Sequence, residues 1–490
     1  MKILFTILCW LLATASFSQF DFNENCREAY GAVIRLELDR GRDILETERV
    51  ENPSNRIPLL IDNYIDFLRV FISGDEELFH RLEPRRAGRI SRIRKSREDS
   101  PYYLCSLAMI NLQWAFTRVK FGEYLRAAVE INRAYKYLEE NKQRYPDFIP
   151  NDLGLGVLHV MIGSIPKQYK WVARLFSMEG SVKKGMHEIG GFVKKAENSA
   201  WAFQQAEGMF FLAFIQMNFS SFPEQPLPLA AKYDSLSRHN PLLAYAYGRY
   251  LMNRGENDKA LRVFRGRPQD DGHYPLFYVD YLTGICLLNK LDPDCRPCIY
   301  RFVANFPGRN YIRSAWQKLA WSYLLEGDTL SYHHTMEKVR HYGDDWMESD
   351  QIALQEAVEG KPPNVELLKA RLLFDGGYYD DALDVLERKD IRLCGKADTV
   401  AFYYRLGRIY HRQGKKPESI RYYQRTIDSG QGLDAYFAGN AALNLARIYE
   451  TSGDTARALY YYDACLSMDF RDYEAAVKQK AMAGKSRIKP

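Results

Sequence analysis

The feature that most constrains this chain is a spacing of large and small side chains that returns along its second half. In WQKLAWSYLLEGD (Trp316–Asp328), Trp, Leu, Ala, Tyr and Gly stand at offsets 0, 3, 4, 7 and 11. These offsets put the apolar residues on one face of a helix and the glycine where that helix would end. The pattern therefore predicts helical hairpins, and long alternating runs typical of strands are absent from the sequence.

The spacing recurs when other segments are aligned on the small residue, and in most of them a glycine follows seven positions later. The aligned small residues are Gly248, Gly284, Ala320, Ala370, Gly407 and Ala446. The intervals between them are 36, 36, 50, 37 and 39 residues. The 50-residue step predicts one extra helix that ends at Gly360, before a Pro-Pro break.

These residues resemble the tetratricopeptide repeat family, whose unit is a helical hairpin of about 34 residues with large, small and aromatic residues at fixed places. The resemblance covers residues 241–471. It implies that the small residue lets the two helices touch and that the glycine permits the turn between them. The expected fold is all-α, a superhelix of hairpins (an α-solenoid) with a divergent helical N-terminal half.

The predicted organisation has four parts: a signal peptide over 1–18, a divergent helical domain over 19–240, the repeat array over 241–471, and a capping helix and tail over 472–490. Within the second part, Trp114, Ala115 and Gly122 stand at repeat positions and predict one more divergent hairpin.

The N-terminus is typical of a secretory signal. Lys2 precedes an apolar run, and small residues at Ser16 and Ser18 offer a cleavage site. The apolar run is shorter than the roughly 20 residues that span a bilayer, which favours cleavage over an uncleaved anchor. The short signal resembles bacterial ones, so we expect an exported protein in the periplasm or on the periplasmic face of the outer membrane.

Composition and motifs argue against several classes of function. The net charge of +6 over 490 residues is too small to indicate nucleic-acid binding. The sequence lacks the hydrolase, metalloprotease and nucleotide-binding motifs, so we expect no catalysis, no metal and no cofactor. Cys295 and Cys298 have the spacing of thiol oxidoreductases, and a thiol-redox role is one alternative, although no βαβ pattern surrounds them.

A glycine-rich segment over 153–186 leaves a second alternative open. Gly154, Gly156 and Gly163 interrupt an apolar stretch. One interpretation is a tight buried helical hairpin. The other is a membrane-interface segment of a lipid-associated protein, with cationic side chains near lipid phosphates. Those cations are Lys167, Lys170 and Arg174.

The resemblance also implies a concave surface for partners, because repeats of this family turn one position after the small residue toward it. Four of the six residues at that place are arginine, which binds carboxylates, and tyrosines and asparagines stand nearby. The expected partner-binding groove comprises Tyr245, Arg249, Asn253, Tyr281, Asn289, Trp321, Arg371, Tyr404, Arg408, His411, Arg412, Asn440 and Arg447.

The sequence thus predicts a non-catalytic adaptor or scaffold that binds protein or peptide partners of acidic character in the bacterial cell envelope, with membrane contact as a further option. One competing interpretation of the groove stays open. The arginines would instead pair with acids on adjacent helices and only hold the array together.

Overall fold

A computed structural model describes residues 19–165, 178–219, 227–388 and 395–488. Those residues form 24 α-helices and no strand, which confirms the all-α helical-solenoid class predicted from the sequence. Among them, no helix combines the length and the apolar character needed to cross a membrane. The predicted signal peptide, residues 1–18, lies outside the described residues.

The chain divides into two compact units, and the first comprises residues up to 250 together with 266–276. In its described part, eleven α-helices belong to this unit in whole or in part. They are α1 (Glu24–Ile34), α2 (Leu38–Glu51), α3 (Ile57–Ser73), α4 (Glu76–Arg94), α5 (Pro101–Lys120), α6 (Tyr124–Arg144), α7 (Pro150–Ser164), α8 (Val182–Ala196), α9 (Gln205–Phe219), α10 (Ala230–Ser237) and α11 (Pro241–Asn253), whose end belongs to the second unit.

The second unit comprises residues 251–265 and 277 onwards. Its helices are α12 (Asn257–Arg265), α13 (Phe277–Leu288), α14 (Cys295–Asn305), α15 (Ile312–Leu325), α16 (Thr329–His341), α17 (Glu348–Glu359), α18 (Val365–Gly376), α19 (Tyr379–Leu386), α20 (Gly395–Arg412), α21 (Lys416–Gly430), α22 (Phe437–Thr451), α23 (Thr455–Ser467) and α24 (Glu474–Ile488).

The turns inside the hairpins of the second unit use the backbone conformation that the glycine pattern predicts. Gly327, Gly377, Gly414 and Gly453 have φ between +74° and +86°, the left-handed region that glycine enters without a Cβ penalty. Leu291 takes the same place in the α13–α14 hairpin and adopts φ +60° although it carries a side chain. The α13–α14 hairpin therefore has the left-handed turn even though its sequence has no glycine at that place.

The aligned small residues lie where the two helices of a hairpin touch. A Cβ on Gly284 would come within 2.6 Å of Cγ1 of Ile299 on the second helix. A Cβ on Gly407 would come within 2.7 Å of the Tyr423 ring, which is fully buried. Larger residues at these places would push the helices apart, which explains the restriction to Gly and Ala.

The extra helix predicted in the 50-residue step is α17, and it ends at Gly360 as expected. Its buried Asp350 caps the start of α15, accepting hydrogen bonds from the backbone N–H of Tyr311 at 2.6 Å and of Ser314 at 2.8 Å. Tyr311, the N-cap of α15, has φ +67° and makes no side-chain cap of its own. The extra helix therefore supplies the cap that α15 lacks.

In the first unit, the described part of the glycine-rich segment is a tight helical hairpin of α7 and α8. A Cβ on Gly156 would lie 2.9 Å from the backbone oxygen of Gly185, and a Cβ on Gly185 would collide with the oxygen of Gly156 and with Cγ2 of Val160. Residues 166–177, with Lys167, Lys170 and Arg174, lie outside the described residues.

We expect Gly185→Ala to lower the free energy of unfolding by about 1–3 kcal/mol, because the added methyl group has backbone atoms against it. Gly190→Ala on the same helix is the matched control. Nothing lies within 4 Å of its Cβ position, so the change should stabilise by up to about 1 kcal/mol. Urea unfolding of the full chain measures both. Equal effects of the two substitutions would contradict the close helix contact.

A buried carboxyl group lies at the centre of the first unit. Glu207 on α9 is 6% exposed and accepts hydrogen bonds from the hydroxyls of Tyr30 on α1 and of Tyr64 on α3, the latter at 2.9 Å. Burial raises the pKa of Glu207 to about 7, and the two tyrosine hydrogen bonds only partly oppose that rise. This carboxyl group joins α9 to two helices that lie 177 and 143 residues earlier at the points of contact.

Because the folded pKa of Glu207 lies above the unfolded value, the folded state holds a proton that the unfolded state loses between about pH 4.5 and 7. The free energy of unfolding should therefore fall as the pH rises through that window, by at most about 3 kcal/mol from this group. Glu207→Gln should remove this slope, and the exposed Glu77→Gln should retain it. Urea midpoints at pH 5 and pH 7.5 measure the difference; a slope unchanged in Glu207→Gln would refute the assignment.

Candidate partner-binding groove

The structure places two of the predicted groove residues, Tyr245 and Arg249, in the first unit and the others in the second. Burial separates those of the second unit into three groups. Four are buried: Tyr281, Asn289, Trp321 and Tyr404. Five are half-buried: Arg371, Arg408, His411, Asn440 and Arg447. Two are exposed: Asn253 and Arg412.

The buried tyrosines connect consecutive repeats. The hydroxyl of Tyr281 on α13 hydrogen-bonds to Oγ of Ser314 on α15 at 2.9 Å. Three repeats further along, Asn440 on α22 donates from Nδ2 to the hydroxyl of Tyr404 on α20 at 2.8 Å. Each bond joins the first helix of one hairpin to the first helix of the next. These side chains therefore hold the repeats in register, in addition to any contact with a partner.

Trp321 has a similar connecting role. Its Nε1 donates to Glu356 of the extra helix α17 at 2.9 Å, and its ring is 2% exposed. Two cations lie over that ring, Lys318 at 3.7 Å and Arg371 at 5.2 Å from the centroid. Burial, together with the positive charge of Arg371, lowers the pKa of Lys318 to about 7.

Arg371 and Arg408 share one carboxylate, that of Asp375 on α18. Arg371 Nε lies 3.8 Å and Arg408 Nη2 3.3 Å from its oxygens. The side chains remain 28% and 25% exposed, and the Arg408 guanidinium also lies 3.9 Å from the centroid of the Phe374 ring. Arg408 thus pairs with an acid on another helix, whereas Arg371 pairs within its own helix α18, and one acid serves both arginines.

A third guanidinium in this place, Arg405, was missed by the sequence reasoning. It is 9% exposed, and its Nε and Nη1 are buried without a hydrogen-bond partner in the described part of the chain. Burial lowers the pKa of Arg405 to about 10, and the nearby charges of Arg371 and Arg408 act in the same direction. We call Arg371, Arg405 and Arg408 the arginine cluster. The signal was present, because Arg405 precedes Arg408 by three residues and thus shares its helix face.

Tyrosine side chains lie beside the arginine cluster. The ring of Tyr436 packs between those of Tyr404 and Tyr473, with centroid distances of 5.6 Å and 5.2 Å. Tyr473 directly precedes the last helix, α24, and Arg371 acts electrostatically on it and on Asp472. The start of α24 therefore lies close to the cluster, which the prediction of a terminal capping helix did not indicate.

The two alternative sites of the sequence have different surroundings. Cys295 is buried, and burial raises the pKa of its thiol to about 12, which opposes formation of the reactive thiolate. In the described part of the glycine-rich segment, Gly156 and Gly185 lie at the close contact between α7 and α8. Within the described ranges, no three His, Cys, Asp or Glu side chains are arranged to hold a metal ion.

In a comparison with known families, residues 397–469, which contain α21, α22 and α23 and most of α20, match the model of the tetratricopeptide repeat. No curated protein matches the chain. The matched hairpins carry Tyr404, Arg405, Arg408 and Asn440, so part of the site lies in a repeat whose general role is protein–protein interaction and whose fold is typically non-catalytic.

Proposed function

We propose that this protein is a non-catalytic scaffold that binds acidic segments of partner proteins on the arginine-rich surface of its second unit. The observation that carries the proposal is the shared Asp375. Two half-buried arginines and one buried arginine lie around the Asp375 carboxylate, so positive charge is concentrated at this place. A partner that brings carboxylates would balance it.

The surrounding side chains support a peptide as the ligand. Tyr436 and the half-buried His411 and Asn440 offer apolar contact and hydrogen bonds beside the guanidiniums. Aromatic rings and arginine are the residues that contribute most to protein interfaces, since they bury large area at small entropic cost. The buried ring of Trp321 lies under the Arg371 guanidinium and helps to hold it in place.

The test is a pull-down in which the wild-type chain is compared with a triple variant, Arg408→Glu, Arg412→Glu, Arg447→Glu. We expect the triple variant to lose the partner proteins, because reversed charges repel acidic segments. The matched control reverses three exposed arginines on the second helices of the same hairpins: Arg421→Glu, Arg425→Glu and Arg457→Glu. Circular dichroism confirms that each variant remains helical.

Binding to synthetic peptides identifies the chemistry of the partner. Acidic segments of the captured proteins should bind the wild-type chain at least about tenfold more tightly than versions with Asn and Gln in place of Asp and Glu, a difference of about 1.4 kcal/mol. Equal binding of both peptide versions, or equal capture by the triple variant and its control, would defeat the proposal.

We further propose that the protein works in the bacterial cell envelope, in the periplasm or at the periplasmic face of the outer membrane. The support is the N-terminal sequence alone. Expression of the full chain in a Gram-negative host should yield a periplasmic protein that begins at residue 19, as intact mass would show. Replacement of Leu8 and Leu11 by Arg should keep the protein inside the cell at full mass, because the charges break the apolar run. Full-length protein in the cytoplasm for both chains would contradict export.

A further inference from the structure

The cations of helix α4 form two sets with different surroundings. Arg86 pairs with Glu130 of α6 at 3.0 Å, and Arg89 pairs with Asp66 of α3. The side chains of these two arginines are only 12% and 11% exposed. They therefore hold α4 against its neighbours and are not available to a ligand.

The other set is an exposed row. Arg81, Arg85, Arg92 and Lys95 stand at intervals of four, seven and three residues, which places them on one face of the helix. Arg85 lies 3.7 Å from Asp66, whereas the other three have no acidic partner among the described residues. Like charges at this spacing repel one another and destabilise the helix, and an anionic surface laid against the row would remove that repulsion.

Exposed apolar side chains lie where α5 ends and α6 begins. Val119, Tyr124, Leu125 and Val129 are four of the twelve large apolar side chains that are exposed in the described part of the chain, and they fall within eleven residues. Leu125 is the most exposed of the four, at 78%. Apolar side chains exposed singly are ordinary on a protein surface, whereas such a group indicates an interaction site.

The start of α6 lies beside α4. The Arg118 guanidinium of α5 forms ion pairs with Glu83 of α4 and with Glu123, the residue before α6. Towards the other end of the two helices, Arg94 of α4 donates a hydrogen bond to the hydroxyl of Tyr137 of α6 at 2.9 Å. The exposed sides of α4 and α6 therefore adjoin. We define the α4–α6 surface as Arg81, Arg92, Lys95, Tyr124, Leu125 and Val129.

Along α6 the exposed side chains change from apolar to cationic. Leu125 and Val129 are followed at helical spacing by Arg133 and Lys136, which are exposed and have no acidic partner within the described ranges. Helices at membrane surfaces separate the two kinds of side chain in this way, because apolar groups reach the acyl boundary while cations stay at the level of the lipid phosphates.

We propose that the α4–α6 surface attaches the protein to an anionic phospholipid membrane, with Leu125 and Val129 between the lipid headgroups and the cations of α4 at the phosphates. Attraction of basic side chains to anionic lipid adds to the burial of the apolar ones. The attachment is independent of the proposed function, because every residue of the surface belongs to the first unit. It also differs from the glycine-rich segment, in which the sequence offered a membrane contact.

An acidic protein segment is the other partner of matching charge, and the exposure of Leu125 favours the membrane. A side chain that projects so far into solvent needs a cleft that closes around it if the partner is a protein. A fluid lipid interface accepts a projecting side chain without a preformed cleft. Tyr124 beside it has the apolar ring and the polar hydroxyl that suit the headgroup region.

The experiment is flotation of the chain from residue 19 onwards with lipid vesicles. This chain keeps every described helix and lacks the apolar N-terminal run, which would itself bind lipid. One set of vesicles contains phosphatidylcholine alone, and the other contains roughly one third phosphatidylglycerol, which makes its surface negative. The bound fraction is measured over a range of lipid concentrations at low salt.

Two variants test the two parts of the surface, each with a matched control. The charge variant is Arg81→Gln, Arg92→Gln and Lys95→Gln. Its control removes three other exposed cations that have no acidic partner among the described residues: Lys183→Gln, Lys194→Gln and Lys361→Gln. The apolar variant is Leu125→Ser and Val129→Ser, and its control is Val50→Ser and Leu330→Ser, both 82% exposed on other helices. Urea unfolding shows whether each variant remains folded, as expected for exposed positions.

We expect the wild-type chain to bind the phosphatidylglycerol vesicles and not the neutral ones. The charge variant should bind at least about tenfold more weakly, since each cation near an anionic surface contributes about fivefold to the affinity. The apolar variant should also bind at least about tenfold more weakly, because two inserted side chains are truncated. Both controls should bind as the wild-type chain does.

Four results would overturn the attachment. The first is no binding of the wild-type chain to phosphatidylglycerol vesicles, and the second is equal binding to neutral vesicles. The third is an equal loss in a variant and its control, which would mean that no defined surface binds the lipid. The fourth is a loss in the charge variant alone, in which case the surface is an electrostatic site for acidic protein segments. None of these results bears on the pull-down, which tests the second unit.

Discussion

The close contact between the two helices of each hairpin is the constraint on which the second unit depends. At Gly284 and Gly407 a side chain of the partner helix occupies the space where a Cβ would stand. The short distance fixes the angle and depth at which the helices pack, and the left-handed turn residue then fixes their connection. Because each hairpin is set in this way, the next hairpin finds a preformed surface, and the array can extend one unit at a time.

Hydrogen bonds between first helices then set the register from one hairpin to the next. The pairs Tyr281–Ser314 and Tyr404–Asn440 are buried or half-buried, so their loss would leave polar groups unsatisfied. In the 50-residue interval, the extra helix α17 likewise forms hydrogen bonds to a first helix, α15. Its Asp350 caps α15, and its Glu356 accepts from Trp321. Several side chains of the predicted groove thus have a structural role.

The packing of successive first helices also brings charged side chains together. Successive first helices bring Arg371 and Arg405 together although 34 residues separate them, and Asp375 is shared by Arg371 and Arg408. The guanidiniums are thereby concentrated at one place, and the start of α24, with Asp472 in electrostatic reach of Arg371, lies beside it.

The sequence by itself determined the helical hairpins, the turn glycines, the extra helix ending at Gly360 and the presence of a terminal helix. These follow from local periodicity and from the steric needs of single residues, which are readable in a short window. It also placed Arg371 and Arg408 on one surface, since both stand at the same repeat position. The signal peptide and the groove as a binding site stay predictions.

Only the tertiary structure decided which of those side chains are available. Tyr404 and Trp321 are buried by neighbouring repeats, and two nitrogens of Arg405 have no hydrogen-bond partner among the described residues, because burial depends on helices that arrive from elsewhere in the chain. The same holds for Glu207, whose two tyrosine partners are 177 and 143 residues away. Pairing and desolvation are sums over all neighbours in space, and a local pattern does not contain them.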